Sequence, residues 1–200
     1  MFLKSPPPLV LASSSVYRRE LLARLQIPFE CCSPGIDEAS LPGEQPGSLV
    51  ARLALAKARA VALQRPDAWV IGSDQVAVLP GADGPSILGK PGSVANCVRQ
   101  LLQCSGQTLS FLTAVSLVRG DTALGEFIDT TRVTFRSLDL AAVERYVARE
   151  SPLDCAGGFK SEGLGITLCE SIDTADPTAL IGLPLIRLGG ALREAGFELP

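Results

Sequence analysis

The chain has 200 residues, 46% of them hydrophobic, and a formal net charge of −3. This suits one globular domain over residues 1–200 with ample core, and it argues against a broad nucleic-acid or anionic-membrane surface. Histidine is absent, which excludes Ser/His/Asp and Cys/His nucleophile systems and any Cys/His zinc site, so catalysis would rest on carboxylates, lysines and a metal.

In chain order, residues 9–12 read as a short buried strand, followed by the serine run Ser13–Ser15 and a helix over 16–25. FECCSP follows as a second strand, and PGIDE places Asp37 and Glu38 after it. Residues 47–64 read as a helix with Ser48 as its cap. AWVIG is a buried strand that ends at Ser73, Asp74 and Gln75, and QVAVL extends it. PGADGPS is a turn that leads into ILGKP, and Ser93 caps a helix through residue 104. Two β-rich runs, TLSFLTAVSLV and GEFIDTTRVTFRSL, joined at Gly-Asp, predict an antiparallel hairpin. Asp139 begins a helix to about residue 149. The glycines of GGFKSEGLG predict a tight loop on which backbone approaches a ligand. ITLCESI is the last strand, and Pro184 stands in the first turn of a final helix.

No apolar run approaches the roughly 20 residues of a membrane span, and the leading MFLKSPPPLV lacks the layout of a signal peptide. The expected location is therefore cytoplasmic. Six scattered cysteines without a CxxC pair predict reduced, mostly buried thiols. Arginine outnumbers lysine fourteen to four, so a retained lysine marks a place where a compact ammonium is wanted, as at a phosphate oxygen. Lys4 reads as an ordinary surface charge. Lys57, Lys90 and Lys160 do not, and Lys57 falls within the apolar stripe of Val50, Leu53, Ala54 and Val61, with Arg52 and Arg59 on the other side.

Ser13–Ser15 with Arg18 and Arg19 sit where a strand feeds a helix, a junction that suits phosphate. Asp74 at a strand end and Asp37 or Glu38 beyond another strand offer the two carboxylates that, with a phosphate chain, suit Mg²⁺.

LVLASSSVYRRELL, PGIDE, LAKARA, VIGSDQV, LGKPGS, VTFR, DCAGGFKSEGLG and IGLPL resemble, in order and spacing over essentially the whole chain, the Maf-like nucleotide pyrophosphatases. The resemblance implies an α/β fold related to the ITPase-like enzymes, with a curved mixed β-sheet flanked by helices and two lobes about a central cleft. It also implies hydrolysis of a nucleoside triphosphate to monophosphate and diphosphate with a divalent cation, Mg²⁺ or Mn²⁺. By the same resemblance Ser13 and Arg18 match the phosphate-binding turn, Glu38 the acidic residue after the second strand, Lys57 the helical lysine, Asp74 the proton acceptor, and Lys90 the lysine of the GKP motif. Glu38 and Asp74 would carry the metal. The implied partner is a nucleotide, and a homodimer is left open.

Tyr17, Gln75 and Glu162 occupy the positions that separate subgroups, and with FKSEG they resemble the 7-methyl-GTP pyrophosphatases. N7-methylation makes guanine cationic, so an aromatic face such as that of Tyr17 gains a cation–π component of about 0.5–2 kcal/mol. Glu162 could accept from N1–H and the 2-amino group together. Val16, Ala56 and Tyr17 depart from the residues common at those positions; Ala56 removes an acidic neighbour of Lys57 and Tyr17 offers less stacking area than tryptophan. The alternatives are a dTTP/UTP or broad-specificity pyrophosphatase and a nucleotide-binding regulator of septum formation.

Overall fold

A computed structural model describes residues 7–82 and 84–200; Lys4, Pro6 and Asp83 of the expected turn lie outside the described residues. Five helices of eight residues or more and seven strands are found among them. The strands are β1 (Leu9–Ala12), β2 (Glu30–Cys31), β3 (Trp69–Leu79), β4 (Ser86–Leu88), β5 (Thr108–Arg119), β6 (Thr122–Phe135) and β7 (Cys169–Asp173). They form one sheet in the order β2-β1-β3-β5-β6-β7, with β4 on β3. The sheet is mixed: β1 pairs parallel to β2 and β3, whereas β3/β4 and β6/β7 are antiparallel. The α/β class with a mixed sheet and flanking helices therefore holds.

The helices are α1 (Val16–Ala23), α2 (Pro46–Ala62), α3 (Val94–Gln103), α4 (Leu140–Glu150) and α5 (Leu185–Glu194). Ser15, Ser93 and Asp139 cap α1, α3 and α4 with side-chain oxygens that accept from the backbone N–H three residues on. Two starts differ from expectation. Pro46 opens α2 in the first turn, where a missing N–H costs nothing, so Gln45 is the cap residue and Ser48 lies inside the helix. Pro184 is the cap residue of α5 and not part of its first turn. The second strand shrinks to two residues, because only Glu30 and Cys31 find partners on β1.

The chain divides into two compact units. Unit 1 takes in the chain up to Asp74, Thr113–Asp129 and Gly182–Pro200, and unit 2 takes in Gln75–Leu112 and Thr130–Ile181. Each has its own core. In unit 1 Val10, Ala12, Val70 and Val118 of the sheet pack with Ala58, Val61 and Ala62 of α2. In unit 2 Phe111, Phe135 and Phe159 gather with Cys97, Leu101, Val143 and Leu168.

The glycine-rich loop has an internal explanation. Gly157 and Gly158 both adopt φ +64°, and a Cβ on Gly158 would stand 2.6 Å from Cys97 Sγ. A Cβ on Gly165 would strike the Lys160 carbonyl. These glycines let the loop fold onto its own surroundings, so no ligand is needed to account for them. All six cysteines are free thiols, but only Cys97 and Cys104 are buried and Cys31 is exposed, which corrects the expectation of mostly buried thiols. No helix among the described residues is long and apolar enough to cross a membrane.

Candidate active site

Unit 1 gathers a compact charged group. Helix α2 lies so close to β3 that Gly72 allows no side chain: a Cβ there would stand 2.1 Å from the Ala54 carbonyl and 2.6 Å from the Ala58 amide. This close approach brings Lys57, one turn from Ala54, against the residue two positions beyond Gly72. Lys57 Nζ donates to Asp74 Oδ1 at 2.7 Å and meets Glu38 Oε1 at 2.9 Å. Lys57 and Asp74 are 5% and 7% exposed, whereas the Glu38 side chain is 56% exposed. An ammonium on the apolar face of α2 is thus matched by two carboxylates, as its burial demands. Asp37, by contrast, closes a local turn by accepting from the Ala39 amide at 2.9 Å.

The serine run divides its labour. Buried Ser13 accepts from the Ser15 amide at 3.1 Å, while Ser15 caps α1. Arg18 Nε donates to the Gly182 carbonyl at 3.0 Å, and the same oxygen accepts from Ser73 Oγ at 3.0 Å. Burial pulls the Arg18 pKa below its ordinary value, and the nearby charges of Asp74 and Glu38 oppose that shift. One backbone carbonyl therefore ties α1 to the residue before Asp74. Gly182 has φ +127°, a conformation open to glycine. Tyr17 is half-buried on α1.

Unit 2 holds the remaining expected residues at separate places in the chain. Gln75 Nε2 donates to the Ala179 and Leu180 carbonyls, each at 3.0 Å, so both amide protons are committed to backbone. Lys90, just beyond β4, is exposed, contrary to the expectation that it avoids a solvated position. Glu162 is exposed and accepts from Ser161 Oγ at 3.4 Å. Lys160 meets Glu150 Oε1 at 2.8 Å, and Glu150 also accepts from the Leu164 amide at 2.7 Å. The Lys160 pKa rises chiefly through its bond to Glu150. Lys160 thus has a structural role: it anchors the loop that carries Glu162.

Three participants carry no sequence signal for a role. Gly182 lies in the motif IGLPL but acts through its carbonyl, which no residue type reports. Arg52 and Glu44 form a bidentate pair with N–O distances of 2.6 and 2.7 Å; the helical wheel alone gives Arg52 a solvated face.

Among the described residues no group of three or more Cys, Asp or Glu converges as a metal cage. Two carboxylates around one point are nonetheless the donor set that Mg²⁺ uses when substrate phosphates and water complete its shell. The point that Glu38 and Asp74 share is held by the Lys57 ammonium, so a cation there would have to use their other oxygens.

Unit 1 thus holds a buried lysine between two carboxylates with an arginine in their field. The Maf-like protein family model matches residues 8–195, and the chain belongs to that family. It is 53% identical over 194 residues to a protein named 7-methyl-GTP pyrophosphatase from Xanthomonas campestris, covering 97% of this chain and 99% of that one. It is 55% identical over 193 residues to a protein of the same name from Polaromonas, covering 96% and 86% respectively. Among solved structures, the Staphylococcus aureus Ham1 protein shares 17% identity at a TM-score of 0.47, over 64% of this chain and 71% of that one.

Proposed function

We propose that this protein hydrolyses 7-methyl-GTP to 7-methyl-GMP and diphosphate. The observation that carries the reading is the identity of 53–55%, over at least 96% of the chain, with proteins named for that substrate. The unit 1 geometry is compatible with the chemistry. Ser13 and Arg18, at the strand-to-helix turn, would bind phosphate oxygens, and Lys57 would offset charge on the triphosphate, a role the family resemblance also gives to Lys90. Asp74 keeps Oδ1 on Lys57, while Oδ2 has no hydrogen-bond partner among the described residues. That oxygen would take the proton of a water attacking the α-phosphorus. The bond from that phosphorus to the bridging oxygen breaks, and diphosphate leaves with the electron pair. Glu38, with Asp74 beside it, would hold Mg²⁺ or Mn²⁺, which supplies neutralisation of the triphosphate charge.

For the base, the family resemblance assigns stacking on a cationic ring to Tyr17 and acceptance from an N–H edge to Glu162. Gln75, with its amide protons on Ala179 and Leu180, acts by bracing that segment.

The test is diphosphate release from 7-methyl-GTP, GTP, UTP and dTTP side by side with Mg²⁺ or Mn²⁺, using wild type, Asp74→Asn and Glu162→Gln. Preference for 7-methyl-GTP that weakens in Glu162→Gln supports the reading. Preference for UTP or dTTP replaces the substrate but keeps the reaction, and no release from any nucleotide ends the enzyme reading.

A further inference from the structure

The segment that presents Glu38 has no regular structure: β2 ends at Cys31 and α2 begins at Pro46. A single ion pair between Lys57 and a largely exposed glutamate contributes little toward fixing such a loop, because ordering the side chain offsets most of the Coulomb gain. Something else must hold it. Arg52 does so from the same helix that carries Lys57. Its Nη2 donates to the Ala39 carbonyl at 3.0 Å, so the consecutive residues Glu38 and Ala39 are gripped by two basic side chains of α2.

Glu44 completes the arrangement. Its side chain is 7% exposed, it takes two N–H bonds from Arg52, and it accepts from the Leu41 amide at 3.0 Å. The guanidinium therefore spans both ends of the loop: Ala39 on one side and Glu44, just before the helix, on the other. Only a planar fork can make the two parallel bonds and still reach a third acceptor. We propose that Arg52 and Glu44 form a clasp that positions Glu38 on Lys57, which makes both positioning residues for the reaction. The proposal rests on the role given to Glu38 above. The mutual reinforcement of the pair agrees with it: Arg52 holds the Glu44 pKa well below the usual value, and Glu44 raises that of Arg52.

The experiment compares wild type with Arg52→Lys, Arg52→Ala, Glu44→Gln, Glu38→Gln and the double variant Arg52→Ala/Glu38→Gln. Mn²⁺ affinity is read by electron paramagnetic resonance in the presence of non-hydrolysable α,β-methylene GTP, and amide hydrogen exchange is followed at Leu41. Arg52→Ala is expected to weaken Mn²⁺ binding about tenfold or more, as loss of an outer-shell partner does. Arg52→Lys should fall with it, since charge without the fork does not restore the clasp. The double variant should bind no more weakly than Glu38→Gln alone, because a clasp that works through Glu38 has nothing left to position. Leu41 should lose protection in the Arg52 and Glu44 variants while the amides of α2 keep theirs. Additive losses, full affinity in Arg52→Lys, or a wild type that binds no Mn²⁺ overturns the proposal. If Arg52→Ala does not fold, Glu44→Gln with Glu38→Gln forms the same cycle. None of these readouts needs turnover, so failure of the clasp and failure to hydrolyse nucleotides are told apart.

Discussion

Lys57 donates to Asp74 at 2.7 Å with both side chains almost fully buried, so each is the other's main compensation for leaving water. Breaking such a pair leaves an uncompensated interior charge. Lys57→Met is expected to destabilise the fold by about 3–5 kcal/mol, whereas the double variant Lys57→Met/Asp74→Leu recovers most of that loss. Neither should hydrolyse nucleotides. Asp74→Asn, which keeps the shape, should lower activity by roughly 10²–10⁴-fold. Denaturant melts paired with diphosphate release check this, and a double variant no more stable than Lys57→Met would refute it.

Gly72 sets the spacing that makes the pair possible. Gly72→Ala places a methyl group into the α2 backbone at Ala54 and Ala58. Overpacking of this kind costs about 1–3 kcal/mol. Since the helix must move away from β3, activity should fall more steeply than stability alone would suggest. A variant with wild-type melting and turnover would show that α2 and β3 are not held at this distance.

The helical stripe made Lys57 legible, because burial on a helix repeats every 3.6 residues and leaves a periodic trace. The serine and aspartate caps announced three of the five helix starts, whereas the ends of two strands were not legible: the second strand keeps only Glu30 and Cys31, and the last begins at Cys169 after a 3-10 turn over Leu164–Leu168. The start of α2 was misread because Ser48 is a good cap by type while Pro46 fixes the backbone two residues earlier. Arg52 could not be found this way: its partners, Ala39 and Glu44, lie in an aperiodic loop, and one of them is a carbonyl. The glycines of the 157–165 loop were visible, but whether a glycine answers to a ligand or to Cys97 is a fact of packing.

Acid stability should depend on Glu44. Its pKa is lowered from 4.5 to about 2, first by the Arg52 hydrogen bonds and then by the Leu41 amide. A carboxylate depressed in the folded state adds stability above its unfolded value and loses it as the pH falls toward the folded value. Melting temperatures of wild type and Glu44→Gln should therefore differ above about pH 4.5 and converge on approach to pH 2. Parallel curves across that window would contradict the pairing.

The thiols should fall into classes. Burial pushes Cys97 up to about 11 and Cys104 up to about 12, so neither presents a thiolate at neutral pH. Exposed Cys31 should react first with a disulfide reagent in the native protein, and Cys97 and Cys104 only on unfolding. Rapid native labelling of Cys104, located by mass spectrometry, would contradict this packing.

Within the single strand β3, Asp74 and Gln75 are neighbours whose side chains leave opposite faces: one meets Lys57, the other the carbonyls of Ala179 and Leu180. Point substitution at 75 can thus alter the bracing of residues 179–180 while the Asp74 carboxylate stays on Lys57. Insertion or deletion of one residue between Trp69 and Asp74 has no such freedom. It would exchange the two faces, delivering a carboxylate to backbone acceptors that repel it and an amide to a buried ammonium. The length of this stretch is therefore constrained by parity, so a one-residue insertion or deletion there should not be tolerated.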